Sequence, residues 1–210
     1  MGNNIHNFNR IWTLLQAEYP DAAPELHFND PLQLLVATIL SAQCTDAQVN
    51  KATDVLFKKY KTVEDFANAD ICELEKDIYS TGFYRNKAKN IKKSAQIIIS
   101  DFDSRIPDTM EHVLTLPGVA RKTANIVLAR GHGVVEGIAV DTHVKRLSNL
   151  LGFTENTDPV KIERDLTPIF VSRLCSTKKH TIFASKPDNQ YCFIREYTFR
   201  ICSIHVTLKF

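Results

Sequence analysis

Residues 116–143, LPGVARKTANIVLARGHGVVEGIAVDTH, hold a lysine and an aspartate in contexts that packing alone does not require. Leu116-Pro117-Gly118-Val119 reads as a turn between two helical patterns. Pro117 cannot continue the preceding helix, and Gly118 supplies a backbone that can take positive φ and approach a partner closely. A new helix starts at about Arg121, and the outward amides of such a turn and helix N-terminus suit a phosphate group. Lys122 falls in the first turn of that helix, where the positive end of the dipole and partial burial both lower the pKa of an amine. A neutral amine is a nucleophile that can attack a sugar carbon and form a Schiff base. Downstream, Gly137-Ile138-Ala139-Val140 is an apolar approach to Asp141-Thr142-His143, with Asp141 an N-cap for a helix over residues 144–151. Taken singly, a first-turn lysine is usually a solvated surface residue and an aspartate before a helix is usually only a cap.

The chain has 210 residues, 44% of them hydrophobic, enough to bury a substantial core in one or two domains. A net charge of +2 says little about a polyanionic partner, because local clustering matters more than the total. Clusters occur at Arg85, Lys87, Lys89, Lys92 and Lys93, at Arg121 and Lys122, at Lys145 and Arg146, and at Lys178 and Lys179. A charge run is more often a solvated helix face, so only a fold that gathers several on one side makes a nucleic-acid surface. The opening MGNNIHNFNR is polar, and no apolar run reaches the length of a signal peptide or a membrane span. The expected location is intracellular, in cytoplasm or nucleoid. Five cysteines without a repeated spacing fit a reducing compartment rather than a disulfide framework.

Phe8, Ile11, Trp12, Leu14 and Leu15 recur at helical spacing and predict a first amphipathic helix ending before Tyr19-Pro20. Asn29-Asp30-Pro31 caps a second, apolar nearly all round from Leu32 to Leu40, as a central buried helix would be. Its exit Ser41-Ala42-Gln43-Cys44-Thr45-Asp46 begins a third, with Thr45 and Gln48 forming a capping box and Val49, Ala52, Val55 and Leu56 on the buried face. Short helices follow over 63–69 and 71–80, the second ended by Gly82. A longer one starts at Asn86, carrying Ala88, Ile91, Ala95, Ile98 and Ile99 on one face and the lysines on the other. Pro107-Asp108 opens the short helix leading into the hairpin, and Asp158-Pro159 opens a late helix carrying Ile162, Leu166 and Phe170. With no strand alternation, repeat or low-complexity linker, the expected class is all-α with short connections. Residues 171–210 carry no readable periodicity.

The hairpin segment resembles the endonuclease III family of DNA glycosylases, whose pattern L-P-G-V-G-x-K-T-A and later V-D-T-H is matched nearly throughout. Ala120 stands where the family usually has its second glycine. If that position needs positive φ, alanine there destabilises by about 1 kcal/mol and distorts the phosphate clamp. The resemblance extends over roughly residues 8–170. The exit loop LSAQCTDAQVN is similar to the family's L-S-A-Q-x-T-D-x-x-V-N, which implies that Gln43 enters the helix beside the orphaned base. Asp46 belongs to the same motif, or serves only as a first-turn acid. The stretch from Thr81 to Ala88 resembles the family's second wedge loop, which makes Phe83 the intercalating residue, although burial at a helix end is the commoner fate of a phenylalanine. A base inside a duplex cannot be reached, and such wedges fill the stack that an extruded nucleotide leaves.

What the resemblance implies is a two-lobed all-α helix-hairpin-helix DNA glycosylase fold with a DNA-binding cleft between lobes. One lobe is expected over residues 23–134, the other over 1–22 with 135–210. Lys122 becomes the nucleophile and Asp141 an ionised carboxylate that stabilises positive charge on the sugar. Gly118, Val119, Ala120 and Arg121 form the phosphate clamp, and His143 has a phosphate-contact or structural role. The lysine marks a bifunctional glycosylase/AP lyase, since monofunctional relatives usually lack it. The implied partner is double-stranded DNA with oxidised pyrimidines or abasic sites, bound by a monomer. The family's C-x6-C-x2-C-x5-C motif for a [4Fe–4S] cluster fails here: only Cys192 falls on a ligand position, with Ile182, Asn189 and Thr198 on the others. Such clusters take four thiolates, so no cluster and no other cofactor are expected; Cys175 and Cys202 lie too far off the pattern to substitute. Two rivals stay open: a glycosylase for another lesion or mismatch, and a non-catalytic helix-hairpin-helix DNA-binding module.

Overall fold

The computed structural model describes residues 26–176 together with Arg10, Ile11, Thr13, Leu14, Ala17 and Glu18, all six of them helical. Phe8, Trp12 and Leu15 of the expected first helix, and the cluster-motif positions 182–198, lie outside the described residues. By contacts the chain divides into two compact units, Glu25–Val134 and Met1–Pro24 with Val135–Phe210. Every regular element among the described residues is helical.

In the first unit, α1 (Pro31–Leu40) begins where Asp30 accepts the Gln33 amide, and Pro31 sits at the first turn, where a missing N–H is harmless. All of α1 but Pro31 and Gln33 is buried, as its uniformly apolar sequence requires. Around it pack α2 (Asp46–Lys59), α3 (Val63–Asn68), α4 (Ile71–Asp77) with a 3-10 turn Tyr79–Thr81, and α5 (Tyr84–Phe102). Leu34, Leu40, Leu56, Phe66, Leu74, Ile78, Ile91 and Ile98 are almost wholly withdrawn from water. Thr45 caps α2 by accepting the Gln48 amide, and a full reciprocal box forms at α3 between Thr62 and Asp65. At the far end of α2, Lys59 bridges Glu73 and Asp77 of α4, each at 2.8 Å.

Several boundaries differ from the sequence expectation. Val55 is 65% exposed; the buried stripe of α2 is Val49, Ala52, Thr53 and Leu56, because 100° per residue carries position 55 off the face that 49 and 52 define. The 71–80 helix stops at Asp77 and tightens into the 3-10 turn. α5 begins at Tyr84 rather than Asn86, with Phe83 in the left-handed region supplying the reversal of chain direction. The short helix α6 (Met110–Val113) is capped by Thr109, not by the Pro107-Asp108 pair. A smaller apolar cluster of Val113, Ala124 and Leu128 joins α6 to α7 (Arg121–Ile126), which runs on as a π turn, Val127–His132. Burial pushes the His132 imidazole below its ordinary pKa.

The second unit is built on α8 (Thr142–Leu150) and α9 (Pro159–Ser176). Ile138, Val140, Val144, Ile162, Leu166 and Phe170 form its core, with Phe153 meeting Phe170 edge-on at 6.3 Å. Thr154 and Asn156 both donate to Asp165, at 2.5 and 2.6 Å, which ties the α8–α9 connection to α9 and holds that carboxyl below its usual range.

The contrast between buried Phe66 of α3 and exposed Val55 of α2 is open to a direct check by thermal or denaturant unfolding. Phe66→Ala, which empties a site lined by Leu35 and Ile39 of α1 and Ile91 and Ile98 of α5, is expected to destabilise by about 3–5 kcal/mol. Val55→Ala is expected to change stability by no more than about 0.5 kcal/mol.

Candidate nucleic-acid interface

Three loops of the first unit carry Gln43, Phe83 and Gly118 to Ala120, and helix α5 hydrogen-bonds to backbone carbonyls at or just before each. The first loop leaves α1. Ser41 and Ala42 amides return to the Ala37 and Ile39 carbonyls, Ser41 Oγ donates to the Thr38 carbonyl at 3.0 Å, and the chain then turns through Gln43 at φ +53°. Gln43 is exposed, and Asp46 opens α2 three residues on. The second loop leaves the 3-10 turn. Gly82 at φ +68° is followed by Phe83 at φ +49°, a residue 64% exposed. Positive φ is uncommon for glutamine and an outlier for phenylalanine, and an apolar ring held in water at such a position is not serving the core.

The third loop is the hairpin turn between α6 and α7. Gly118 takes φ +81°, which favours glycine, and a Cβ there would stand 2.7 Å from Asn90 Nδ2 of α5, so a side chain would also have to displace Asn90. Ser94 of α5 donates its hydroxyl to the Pro117 carbonyl at 3.0 Å, turning that carbonyl inward. Val119 is half-buried against the core, its amide returning to Leu116 at 3.2 Å. Ala120 is the N-cap of α7 at φ −94°, an ordinary extended conformation. The strain that a missing glycine would bring therefore does not arise. Arg121 is exposed and Lys122 half-buried in the first turn of α7.

In the second unit, Asp141 caps α8 as its sequence position indicates: Oδ1 accepts the His143 amide at 3.0 Å and the Val144 amide at 2.8 Å. Asp141 and His143 are both half-buried. Among the described residues no group of three or more His, Cys, Asp or Glu could hold a metal ion, and no helix is long and apolar enough to cross a membrane.

The structure also corrects the helical-face reading of α5. Lys87 does not join the other lysines; it is only 4% exposed on the apolar side, three residues before Asn90 and one further turn before Ser94. The signal was present as a break in pattern, since Lys87, Ile91 and Ser94 share one stripe at 3.6-residue spacing, but composition of the cluster as a whole masked it.

Residues 36–170 match the HhH-GPD superfamily of base excision DNA repair proteins. Endonuclease III of Synechocystis sp. is 53% identical over 166 residues, 79% of this chain and 76% of the relative. Endonuclease III of Rickettsia conorii is 36% identical over 209 residues, 96% and 97% of the two chains. A solved structure described as a trapped endonuclease III–DNA covalent intermediate superposes with a TM-score of 0.77 at 37% identity, over 94% of this chain and 98% of that one. With the hairpin, its positive-φ glycine and the following lysine helix described, these likenesses lead to one conclusion: the chain belongs to the endonuclease III family of helix-hairpin-helix base excision repair DNA glycosylases/AP lyases.

Proposed function

We propose that this chain excises oxidised pyrimidines from double-stranded DNA and then nicks the strand, acting as a monomer with Lys122 as nucleophile. The observation that carries the reading is Lys122 in the first turn of α7, directly behind the Gly118 turn, in a chain similar to an endonuclease III that was trapped covalently on DNA. The Lys122 amine attacks C1′ of the damaged nucleotide, the N-glycosidic bond breaks with departure of the base, and the sugar opens to an imine. Loss of a 2′ proton then expels the 3′ phosphate by β-elimination, and water releases the enzyme. Asp141 supplies negative charge as the sugar becomes cationic and assists the proton transfers. The turn from Gly118 to Arg121 grips a backbone phosphate through the Gly118, Ala120 and Arg121 amides and the Arg121 guanidinium, Val119 anchoring the turn through its own amide on the Leu116 carbonyl, with His143 as a further phosphate contact; Gln43 and Phe83 fill the opened stack, with Asp46 supporting the first of these loops.

The donor set at the family's cluster positions, Ile182, Asn189, Cys192 and Thr198, has a single thiolate and does not fit a [4Fe–4S] group. Protein expressed with iron and sulfide supplied and purified without oxygen should carry no stoichiometric iron by metal analysis; a full complement of iron and acid-labile sulfide would overturn this reading.

Incubation with an abasic duplex and borohydride should give a covalent complex in the wild type and none in Lys122→Gln. Equal trapping in both would move the nucleophile elsewhere, and DNA binding without trapping in either would favour a non-catalytic module. A second expectation concerns the clamp. Gly118→Ala should destabilise by about 1–3 kcal/mol through backbone strain and weaken binding to damaged and undamaged duplex alike, since a phosphate contact reads no base. Adding Asn90→Ala should relieve the steric part and leave the φ penalty, measured by unfolding and by binding titration.

A further inference from the structure

Of the basic residues between 85 and 93, Lys87 is the buried one, and its ammonium reaches two backbone carbonyls. Its ammonium donates to the Leu40 carbonyl at 2.7 Å and to the Thr81 carbonyl at 2.8 Å, while its backbone amide donates to the Phe83 carbonyl at 3.1 Å. Leu40 is the last residue of α1 and Thr81 the last of the 3-10 turn, so both acceptors are end carbonyls that lack a partner within their own helical segment. A cation is favoured at such ends, where the helix dipole is negative. Within three residues of each carbonyl the chain enters a left-handed, exposed, non-glycine position: Gln43 after Leu40, Phe83 after Thr81. Burial of their own side chains does not hold these conformations. They persist where the surroundings over-determine them, and the clamp fixes the backbone just upstream of both.

We propose that Lys87 is a positioning residue that locks the Gln43 and Phe83 loops in one fixed relation, so that both side chains enter the duplex as a unit when the nucleotide is extruded. The inference rests on the wedge reading of Gln43 and Phe83 given above. One ammonium satisfies two strands of chain separated by 41 positions of sequence, which an apolar residue cannot do; its replacement leaves two buried carbonyls unpaired and lets the loops move independently. The burial that makes the clamp rigid also lowers the pKa of Lys87, and the nearby Cys44 opposes this.

The test compares the full-length wild type with Lys87→Met, Gln43→Ala and Phe83→Ala on two duplexes, one carrying thymine glycol and one an abasic site already formed, at a temperature where each variant is folded. The abasic duplex has no damaged base to unstack, so it relies least on the wedges. In Lys87→Met the ratio of thymine glycol excision to abasic-site nicking should fall on the order of 10–100-fold. The binding-induced fluorescence change of a 2-aminopurine opposite the lesion should be lost with it, as in Phe83→Ala. Wild-type ratio and fluorescence in Lys87→Met, beside losses in Phe83→Ala, would overturn the positioning role and leave the wedge reading standing. Unchanged behaviour in Gln43→Ala and Phe83→Ala would sink the wedge reading and this inference together, and a wild type inactive on both duplexes would sink the functional reading with them. Parallel loss of both activities with the folded fraction would assign Lys87 to stability alone. Should Lys87→Met fail to fold, Lys87→Gln, whose amide can still reach one carbonyl, is judged by the same criteria.

Discussion

A single ammonium group, that of Lys87, sits where the first unit most needs a donor. Helices α1 and the 3-10 turn both end in the interior, and an end carbonyl left unpaired away from water destabilises by about 1–3 kcal/mol. Lys87 answers two of these at once, 2.7 and 2.8 Å away. Because the carbonyls belong to segments distant in sequence, the lysine converts a local capping problem into a tertiary constraint. The loops beyond them are then free to carry side chains chosen for something other than packing.

Helix α5 extends the same principle along its length. Polar residues on its inner side meet successive loops: Lys87 the segments leading into the first two and Ser94 the Pro117 carbonyl, while Asn90 fills the space a side chain at Gly118 would take. Apolar neighbours Ala88, Ile91, Ala95 and Ile98 bury that side against α1 and α3, so the polar contacts are made on a rigid support. Functional loops mounted on a rigid helix keep their geometry better than loops that must order themselves. The hairpin turn illustrates the result. Gly118 lies against α5, where Asn90 occupies the space that a side chain would need.

The second unit solves a simpler problem. Asp141 must hold the start of α8, and one of its oxygens takes two amides to do so. Capping fixes the direction of the carboxylate without removing its charge, so the same residue suits both helix formation and stabilisation of a cation on a sugar.

Legibility followed the range of the interactions. The α1 helix, the Asp30 and Asp141 caps, the Gly118 turn and the start of α7 at Arg121 could be read from residues alone, because each depends on neighbours within four positions or on a backbone that only glycine tolerates. Exposure of Val55 departs from the reading only because its face was misassigned by one helical increment. Lys87 was grouped with the surface lysines, since composition cannot distinguish a solvated ammonium from one whose desolvation is offset by carbonyls 47 and 6 residues away. Likewise the sequence leaves open whether position 120 needs the backbone of a glycine, and only the folded turn shows Ala120 extended. Sequence by itself determined the helical class, the family and the residue types available for chemistry, because these rest on short-range patterns. Tertiary structure alone decided which polar side chain would be enclosed and which loops it would join, because burial and long-range hydrogen bonds exist only once distant segments have packed.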